Sequence, residues 1–301
     1  MRADFLARMA ASSRARVQGA RAACPAEQML RRARAQAPAP ALRLTPGDFG
    51  LIAEMKLRSP AAGALGDAET DVAARVSAYA AAGAAAVSVL TEPVRFDGSL
   101  EHLRTAAAVL TPLAVPVMRK DFLVDPYQIA EARAAGAGGV LLIVRMLGAA
   151  ELEAMIERAR ELGLFVLLEA FDEADIERLH ALTARLGGEG LLAGVNCRDL
   201  STLEVTPGRL EALAPLLPRA LPRVAESGVT TSEDARRMGR AGYDLALVGS
   251  ALMRAPDPLV LAATLLAAGR LAKRGTPAHE ARAGVPACGD AARDGQSHDP
   301  Q

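Results

Sequence analysis

The chain has 301 residues, of which 35 are basic and 35 acidic, so its formal net charge is zero. This balance gives no indication of the basic stripe expected of a nucleic-acid-binding protein, and an aromatic content of 3% leaves few rings for base stacking. The length suits one large domain or two small ones.

Cysteine and histidine usage argues against disulfides and metals. Cys24, Cys197 and Cys288 show no CxxC spacing, and the four histidines form no HExxH or similar pair. No strongly apolar run reaches the length of about 18 residues that predicts a membrane span. We therefore expect a cytoplasmic protein that holds no metal and has neither a nucleic-acid nor a membrane partner.

Residues 1–46 are predicted to form an N-terminal helical extension followed by a Pro-rich connector. The first residues are rich in Arg and Ala, which faintly resembles a targeting peptide. However, Phe5, Leu6 and Met9 share one helical face with arginines on the other, so an amphipathic helix is the better interpretation. The connector at residues 36–46, QAPAPALRLTP, cannot continue a helix because of its prolines.

Short apolar runs alternate with amphipathic helical stretches over residues 47–274, the predicted barrel domain, and their Val, Leu and Ile content fits buried parallel strands. The predicted strands are residues 51–56, 86–90, 115–119, 139–144, 164–169, 191–196, 222–226 and 244–249. Helices are predicted between them, for example at residues 149–162 and 173–186, and the last helix starts at Asp257 as N-cap. Residues 275–301 turn to Gly, Pro, Asp and Ala and are predicted to be a disordered tail.

Glycine marks five junctions between a predicted helix and the next strand: Gly83, Gly136, Gly163, Gly187 and Gly242. Glycine after a helix takes the left-handed cap, so this regular recurrence indicates repeated βα units. Such units permit a closed barrel or an open doubly wound sheet. The open sheet should carry GxGxxG after its first strand, where this chain reads KLRSPAAG. The sequence therefore predicts an α/β fold, a (β/α)8 TIM barrel with an N-terminal helical extension.

Polar side chains follow the predicted strands at their carboxyl ends, where barrels of this kind place their active sites. They are Glu54, Lys56 and Ser59 after the first strand, Arg119, Lys120 and Asp121 after the third, Glu169 after the fifth, Asn196 and Arg198 after the sixth, Glu226, Ser227 and Gly228 after the seventh, and Gly249 and Ser250 after the eighth. Taken alone, each could be a solvated loop residue or a member of a local ion pair. Examples of such pairs are Lys120 with Asp121 or Glu54, and Arg198 with Asp199. Together, at one mouth, they predict a functional site.

Small residues after the seventh and eighth strands, Ser227-Gly228 and Gly249-Ser250, allow the close backbone approach by which such barrels bind phosphate. We therefore expect a small phosphorylated substrate. Amines and carboxylates around it suit general acid–base catalysis. With neither a metal motif nor a nicotinamide motif, proton-transfer chemistry on a sugar phosphate fits best, as an isomerisation, a condensation or a lyase step.

Several consecutive segments match the motifs of one known enzyme family in order and spacing. They are IAEMKLRSP, SVLTEPVRFDGSLEHL, VMRKDFLVDPYQI, GVNCRDLSTLEV, AESGV and LVGSALMR, which together span residues 50–255. The chain thus resembles the indole-3-glycerol-phosphate synthase family of tryptophan biosynthesis. The resemblance implies a barrel with a helical extension over its mouth, no cofactor, and a carboxy-lyase. This enzyme would close the pyrrole ring of 1-(2-carboxyphenylamino)-1-deoxyribulose 5-phosphate with loss of CO₂ and water.

The resemblance also implies residue roles. Lys120 would be the general acid that protonates the substrate carbonyl as the aromatic carbon attacks it. Glu169 and Lys56 would serve the later proton transfers and dehydration, and Glu54 would position Lys56. Asn196 and Arg198 would hold the carboxylate and sugar hydroxyls, Glu226 and Ser227 would line the site, and Ser59, Gly228, Gly249 and Ser250 would take the phosphate.

The chain departs from the family pattern at three places. Cys197 replaces a usual Asn, Ala-Phe-Asp follows Glu169 where Val-His-Asp is usual, and Ala-Ala-Gly follows Pro60 where a Ser and a Lys are common. We expect Cys197 to point away from the site. The departures leave open a paralogue with a shifted substrate or a reduced rate. Two further alternatives are another phosphosugar-processing barrel enzyme such as an isomerase, and a phosphate-binding barrel without catalysis. The MRKDF and GVNCRDL motifs argue against the isomerase, and the intact Lys and Glu set argues against the barrel without catalysis.

Overall fold

The computed structural model describes residues 5–67, 70–198 and 204–275 of the chain. Within them, parallel strands close a barrel in which each strand pairs with its neighbours in chain order and the last pairs with the first. The barrel strands are β1 (Gly50–Met55), β2 (Ala86–Leu90), β3 (Val117–Lys120), β4 (Gly139–Ile143), β5 (Phe165–Ala170), β6 (Leu191–Asn196), β7 (Arg223–Glu226) and β8 (Leu245–Val248). This closed order confirms the predicted (β/α)8 barrel and rules out the open doubly wound sheet.

Helices precede the barrel, connect its strands and follow the last of them. They are α1 (Phe5–Ala23), α2 (Ala26–Arg34), α3 (Val72–Ala81), α4 (Pro93–Phe96), α5 (Leu100–Leu110), α6 (Pro126–Ala134), α7 (Ala149–Glu161), α8 (Glu173–Leu186), α9 (Arg209–Leu213), α10 (Ser232–Arg240), α11 (Ser250–Arg254) and α12 (Pro258–Arg274). Short 3₁₀ helices occur at Thr111–Leu113, Val144–Met146 and Ala214–Leu216, and a small hairpin pairs Arg58–Ser59 with Gly63–Ala64. No helix of this described part is long and apolar enough to cross a bilayer.

The glycine junctions behave as the sequence predicts. All five have positive φ, between 69° and 92°. Position 136 requires glycine for two reasons: its φ is 92°, and a Cβ there would lie only 2.7 Å from the Cβ of Ala107. Each glycine ends one helix and turns the chain towards the next strand.

The alternation of side chains along each strand delivers polar groups to the mouth of the barrel. Interior apolar residues form one cluster, and the residues between strands and helices form another. Because strand side chains repeat every second residue, the residue two positions after an interior residue also points inward. The interior residues and the polar residues two positions beyond them are Ile52 and Glu54, Met118 and Lys120, Leu167 and Glu169, and Val224 and Glu226. The barrel interior is therefore apolar below and charged at its carboxyl end.

The N-terminal segment forms two helices where the sequence predicts one. α1 ends at Ala23, and α2 begins after Pro25, which has no N–H to continue the helical hydrogen bonding. Leu6 and Met9 are buried in the interior cluster at the mouth of the barrel, and Phe5 packs against that cluster. α2 instead packs against α6 on the outside of the barrel.

The last helix closes the barrel from outside and begins as predicted. The Asp257 carboxylate accepts a hydrogen bond from the Val260 N–H, and Pro258 occupies the first helical turn. Halfway along, Gly269 lies against the buried ring of Phe49, just before β1, at a distance that leaves no room for a Cβ.

We expect Gly269→Ala to lower the free energy of unfolding by about 1–3 kcal/mol, although alanine is the better helix former. The physical reason is that the added Cβ would lie 2.2 Å from Cδ1 of Phe49 and force α12 away from the barrel. Urea unfolding at neutral pH measures the change. Gly275→Ala is the control, because its Cβ would meet other atoms only at 3.6 Å or more. Equal stability of wild type and Gly269→Ala would show that this contact does not constrain α12.

Candidate active site

An open cavity of about 1030 Å³, counting its mouth, lies at the carboxyl ends of the barrel strands. All twelve site residues named from the sequence line it. They are Glu54, Lys56, Ser59, Lys120, Glu169, Asn196, Arg198, Glu226, Ser227, Gly228, Gly249 and Ser250. The fold therefore brings together groups that are spread over almost two hundred residues of sequence, and their individual roles stay predictions.

Lys120 lies at the centre of the charged groups. Its Nζ is 3.2 Å from Oε2 of Glu169 and 3.6 Å from Oε2 of Glu226. Burial alone would lower the pKa of Lys120, but the carboxylates of Glu169, Glu226 and Glu54 outweigh it and raise the pKa above its ordinary value. Lys120 is thus a protonated ammonium at neutral pH. It pairs with neither Asp121 nor Glu54, the two local partners that the sequence allowed.

Glu54 and Lys56 form a second ion pair on the first strand and its extension. Lys56 Nζ lies 2.6 Å from Oε1 of Glu54, and the Glu54 side chain is buried. Gly249 makes room for the pair, since a Cβ there would lie 2.2 Å from Glu54 Oε1 and 3.0 Å from Lys56 Nζ. A glycine read from the sequence as a phosphate contact therefore also accommodates this ion pair.

Glu226 is the least satisfied of the buried carboxylates. Neither of its oxygens has a hydrogen-bond partner among the described residues, and Gly194 on the next strand lies so close that a Cβ would be 2.2 Å from Oε1. Burial, together with the charge of Glu169, raises the pKa of Glu226 well above its usual range, and Lys120 opposes this only in part. Glu226 can therefore hold a proton near neutral pH.

Asn196 connects the acid cluster to the loop after β6. Its Nδ2 donates to Oε1 of Glu169 at 2.7 Å, and its Oδ1 accepts from the backbone N–H of Arg198 at 2.9 Å. These two contacts fix the orientation of the amide and leave Oε2 of Glu169 for Lys120. Asp199, the local partner that the sequence suggested for Arg198, lies outside the described residues.

Small residues cluster on the side of the cavity formed by β7 and β8. Ser227 and Gly228 both have positive φ, 66° and 73°, which is uncommon for a serine. Gly249 precedes α11, whose first backbone N–H groups have no acceptor within the helix. Ser59 adds a buried hydroxyl from the opposite hairpin.

The three departures from the family pattern have distinct structural settings. Cys197 does not line the cavity; its Sγ packs so closely on Gly228 that a Cβ there would be 2.9 Å away, as expected for a side chain that points away. Phe171 does not line it either, and its ring lies 4.7 Å from the guanidinium of Arg145, which also pairs with Asp172. The proposed base Glu169 is thus not flanked by an altered cavity wall.

The Ala-Ala-Gly segment belongs to the loop after β1, which is held on two sides. Arg254 Nη2 donates to the carbonyl of Ala62 at 2.9 Å, and Arg58 pairs with Asp97 at 2.6 Å. Ala61 itself lines the cavity. The change in this segment therefore alters the lining of the mouth and leaves the loop attached.

An apolar wall of the cavity was not foreseen from the sequence. The rings of Phe5 and Phe122 meet edge to face at 5.8 Å, and Phe96 lies 6.1 Å from Phe122. Leu141 and Ile143 of β4 complete this wall. Part of this wall could have been predicted from the sequence, because Phe122 follows Lys120 closely and Leu141 and Ile143 alternate along β4 as inward-facing residues do. The approach of Phe5 from α1 depends on tertiary packing.

The small number of lysines in the composition is a second indication of the site. The chain has only three lysines among its 35 basic residues: Lys56, Lys120 and Lys273. Two line the cavity, and the third pairs with Asp244 at 2.6 Å on the far side of the barrel. Arginine serves at every other basic position. A lysine amine is more compact than a guanidinium and its pKa shifts more readily, so it suits proton transfer better.

Within the described residues, no group of three or more His, Cys, Asp or Glu side chains could hold a metal ion. The barrel and its mouth, with two ammonium groups among three buried carboxylates and small residues opposite, define a barrel enzyme suited to general acid–base catalysis. A family model described as indole-3-glycerol phosphate synthase matches residues 6–265. The chain belongs to the indole-3-glycerol phosphate synthase family.

Individual relatives agree with this assignment. An indole-3-glycerol phosphate synthase from Kineococcus radiotolerans is 47% identical over 219 residues, which cover 73% of this chain and 76% of that protein. One from Rhodococcus jostii is 42% identical over 269 residues, 89% of this chain and 93% of that protein. Among solved structures, 3-hexulose-6-phosphate synthase from Salmonella typhimurium aligns over 74% of this chain and 99% of its own with a TM-score of 0.58. At 15% identity this last likeness shows the fold alone.

We expect Glu226→Gln to stabilise the protein increasingly as pH rises above 4.5. The pKa of Glu226 is raised in the folded state, so between its ordinary value of 4.5 and the raised value the folded state binds more protons than the unfolded state. Stability therefore falls with pH across that window, and glutamine removes this loss. Thermal unfolding of wild type and Glu226→Gln at pH 5 and pH 8 measures this difference in stability. The midpoints of variant and wild type should lie close at pH 5, with the variant higher at pH 8. A gap that does not grow with pH would refute the raised pKa.

Proposed function

We propose that this chain converts 1-(2-carboxyphenylamino)-1-deoxyribulose 5-phosphate into indole-3-glycerol phosphate, CO₂ and water. Family membership supplies the overall reaction, and the twelve cavity residues supply groups of the kind each step needs. The single observation that carries the proposal is the Lys120 ammonium, held between Glu169 and Glu226 at the floor of a cavity with one apolar wall.

Lys120 acts as the general acid of ring closure. The substrate carbonyl accepts a proton while the aromatic carbon attacks it, and the reacting oxygen must then approach the ammonium. As a neutral substrate oxygen displaces part of the interaction with Glu169 and Glu226, the pKa of Lys120 falls and proton donation becomes easier. The proton that the carbonyl takes up is replaced from solvent, and Glu169 and Glu226 then favour the ammonium form of Lys120 again.

Glu169 and Lys56 serve the later steps, loss of CO₂ and dehydration. Glu169 is fixed by Asn196 through Oε1, and its other oxygen, Oε2, contacts Lys120 in the cavity. Lys56 reaches the cavity from the other side and is held there by Glu54. A base and an acid on opposite sides of the ring suit removal of a ring proton and departure of a hydroxyl as water. Glu226 lines the floor between them.

The two ends of the substrate match two sides of the cavity. The aromatic ring of the carboxyphenylamino group fits the wall formed by Phe5, Phe96 and Phe122, where ring–ring contacts favour it. Arg198 and Asn196 take the ring carboxylate and the sugar hydroxyls. The phosphate binds at Ser59, Gly228, Gly249 and Ser250, with Ser227 beside them, where backbone N–H groups and the start of α11 favour an anion.

The reaction needs no partner beyond this small phosphorylated substrate, and we propose that it takes place in the cytoplasm. The predicted division into an extension at 1–46, a barrel at 47–274 and a tail at 275–301 stays a proposal. The described residues end at Gly275, so the tail itself lies beyond them.

Lys120→Ala should lower the turnover number at least about a hundredfold, because the proton donor for ring closure is lost. Indole fluorescence measures product formation directly, and the absence of tryptophan in this chain keeps the protein background low. Lys273→Ala is the matched control, since it removes the one lysine outside the cavity and should leave turnover intact.

Near-normal turnover by Lys120→Ala would remove Lys120 from the mechanism. If wild type is silent towards this substrate but active on its isomeric precursor, the chain is instead another phosphosugar-processing barrel enzyme. Binding of the substrate by wild type without turnover of either compound would make it a phosphate-binding barrel.

Ser250→Asp should raise KM at least about tenfold while the barrel stays folded. The new carboxylate repels the substrate phosphate, yet a negative charge at the start of a helix does not disfavour α11. Steady-state kinetics would measure the change in KM. Competitive inhibition by inorganic phosphate would measure the loss of phosphate affinity. Ser250→Asn provides a control of the same shape without charge. An unchanged KM and unchanged phosphate inhibition in Ser250→Asp would place the phosphate elsewhere in the cavity.

A further inference from the structure

The polar contacts that hold α1 on the barrel converge on residues 121–128, directly after β3 and Lys120. Arg16 donates to both carboxylate oxygens of Asp121, at 2.9 and 2.7 Å. The Tyr127 hydroxyl donates towards the carbonyls at the end of α1, at 2.9 to 3.0 Å. Gln128 Nε2 donates to the buried hydroxyl of Ser13 at 2.9 Å. α1 is thus attached to the segment that carries the proposed acid.

Asp121 is the centre of this attachment. Its carboxylate is fully buried, and both of its oxygens accept hydrogen bonds. One oxygen accepts from Arg16 and from the backbone N–H of Phe122, at 2.7 and 2.8 Å. The other accepts from Arg16, from the Thr91 hydroxyl at 2.7 Å and from Arg119 Nη2 at 3.3 Å. A carboxylate held by so many donors has a single position, and the backbone that carries it is fixed accordingly.

The same network reaches the backbone of Lys120 from its other side. The N–H of Thr91 donates to the carbonyl oxygen of Lys120 at 3.0 Å, while the Thr91 hydroxyl binds Asp121. Lys120 therefore lies in a stretch of chain whose position depends on the Asp121 carboxylate. Arg119 cannot hold that carboxylate alone, because it also pairs with Glu131 at 2.8 Å.

We propose that Arg16 is a positioning residue for Lys120: through Asp121 and Thr91 it holds the backbone from which the ammonium reaches Glu169 and Glu226. This inference rests on the proposed role of Lys120 as the acid. Under this proposal α1 does more than cover the cavity, because Arg16 acts on Lys120 from outside the cavity lining.

The electrostatics explain why a guanidinium is required. Burial alone would raise the pKa of Asp121, but the hydrogen bonds and charges of Arg16, Arg119 and Thr91 lower it, with the hydrogen bond of Arg16 the strongest of these. Without Arg16, the buried carboxylate keeps two neutral donors, the Thr91 hydroxyl and the Phe122 N–H. Its one remaining cation is then Arg119, which it shares with Glu131. The carboxylate must then move or take up a proton, and the backbone beside Lys120 moves with it. A displacement of about 1 Å in a catalytic group costs up to roughly a hundredfold in rate.

The test compares two arginines of the same helix. Arg16→Met removes the guanidinium and keeps an apolar stem, and Arg21→Met removes an exposed ion pair with Asp125, four residues further along the same segment. We expect the kcat of Arg16→Met to fall at least about tenfold with KM nearly unchanged, and the kcat of Arg21→Met to stay within about twofold of wild type. Thermal midpoints of both variants are measured alongside.

A conservative variant keeps the test valid if Arg16→Met does not fold. Arg16→Lys keeps the charge but cannot bind both oxygens of Asp121 in parallel, so its kcat should lie between those of wild type and Arg16→Met. A wild-type kcat in Arg16→Lys together with full loss in Arg16→Met would make charge alone sufficient and overturn the positioning role. Equal kcat in Arg16→Met and Arg21→Met would also overturn it, as would an effect on KM alone.

A readout independent of activity separates this proposal from the assignment of function. The chain has three lysines, so amine-selective labelling followed by peptide mass analysis reports Lys120 against Lys56 and Lys273 in one experiment. If Arg16 positions Lys120 against Glu169 and Glu226, Arg16→Met loosens that contact and Lys120 labels several-fold faster, with Lys273 unchanged. Unchanged labelling of Lys120 overturns the proposal, whatever happens to kcat. Inactive wild type with faster labelling in Arg16→Met would instead count against the proposed function alone.

Discussion

The ion pairs at the carboxyl end of the barrel are the interaction on which the rest of the site depends. Three buried carboxylates, Glu54, Glu169 and Glu226, face two ammonium groups, Lys56 and Lys120. Burial, together with the charge of Glu169, raises the pKa of Glu226. A substrate that inserts neutral oxygen atoms among these groups would weaken the contacts of Lys120 with Glu169 and Glu226.

The barrel makes this concentration of charge possible because its parallel strands all end at the same mouth. Four of the five charged groups stand two residues beyond an apolar interior residue, so the packed interior lies below them, and Lys56 stands two residues beyond Glu54. Glycine provides the remaining space: Gly194 lies against Glu226, and Gly249 lies against Glu54. These two glycines are needed for the volume of neighbouring carboxylates, since neither has a positive φ.

The N-terminal extension adds to the barrel in two ways. It brings Phe5 to the apolar wall and Arg16 to Asp121, and both contacts are made next to Lys120. The apolar wall and the charged floor therefore meet at the short segment after β3. That segment, RKDF, contributes an arginine to the buried network, the proposed acid, the carboxylate that binds α1, and a ring of the wall. Four consecutive side chains of this segment therefore make four different kinds of contact.

The sequence by itself determined the barrel strands to within about two residues, the glycine junctions and the residues that would meet at the mouth. These features are local or periodic, and a parallel barrel must bring equivalent strand ends together. Only the tertiary structure decided which partners those residues take. Lys120 binds Glu169 and Glu226 from strands far along the chain, not the adjacent Asp121, which binds Arg16 from a helix more than a hundred residues earlier. The approach of Phe5 to the cavity was likewise not readable, because it depends on which surface the extension packs against. The break between α1 and α2 differs from it, since it follows from Pro25, which has no N–H. Pairing across a fold depends on distances in space, and a sequence pattern specifies only which face of an element each side chain occupies.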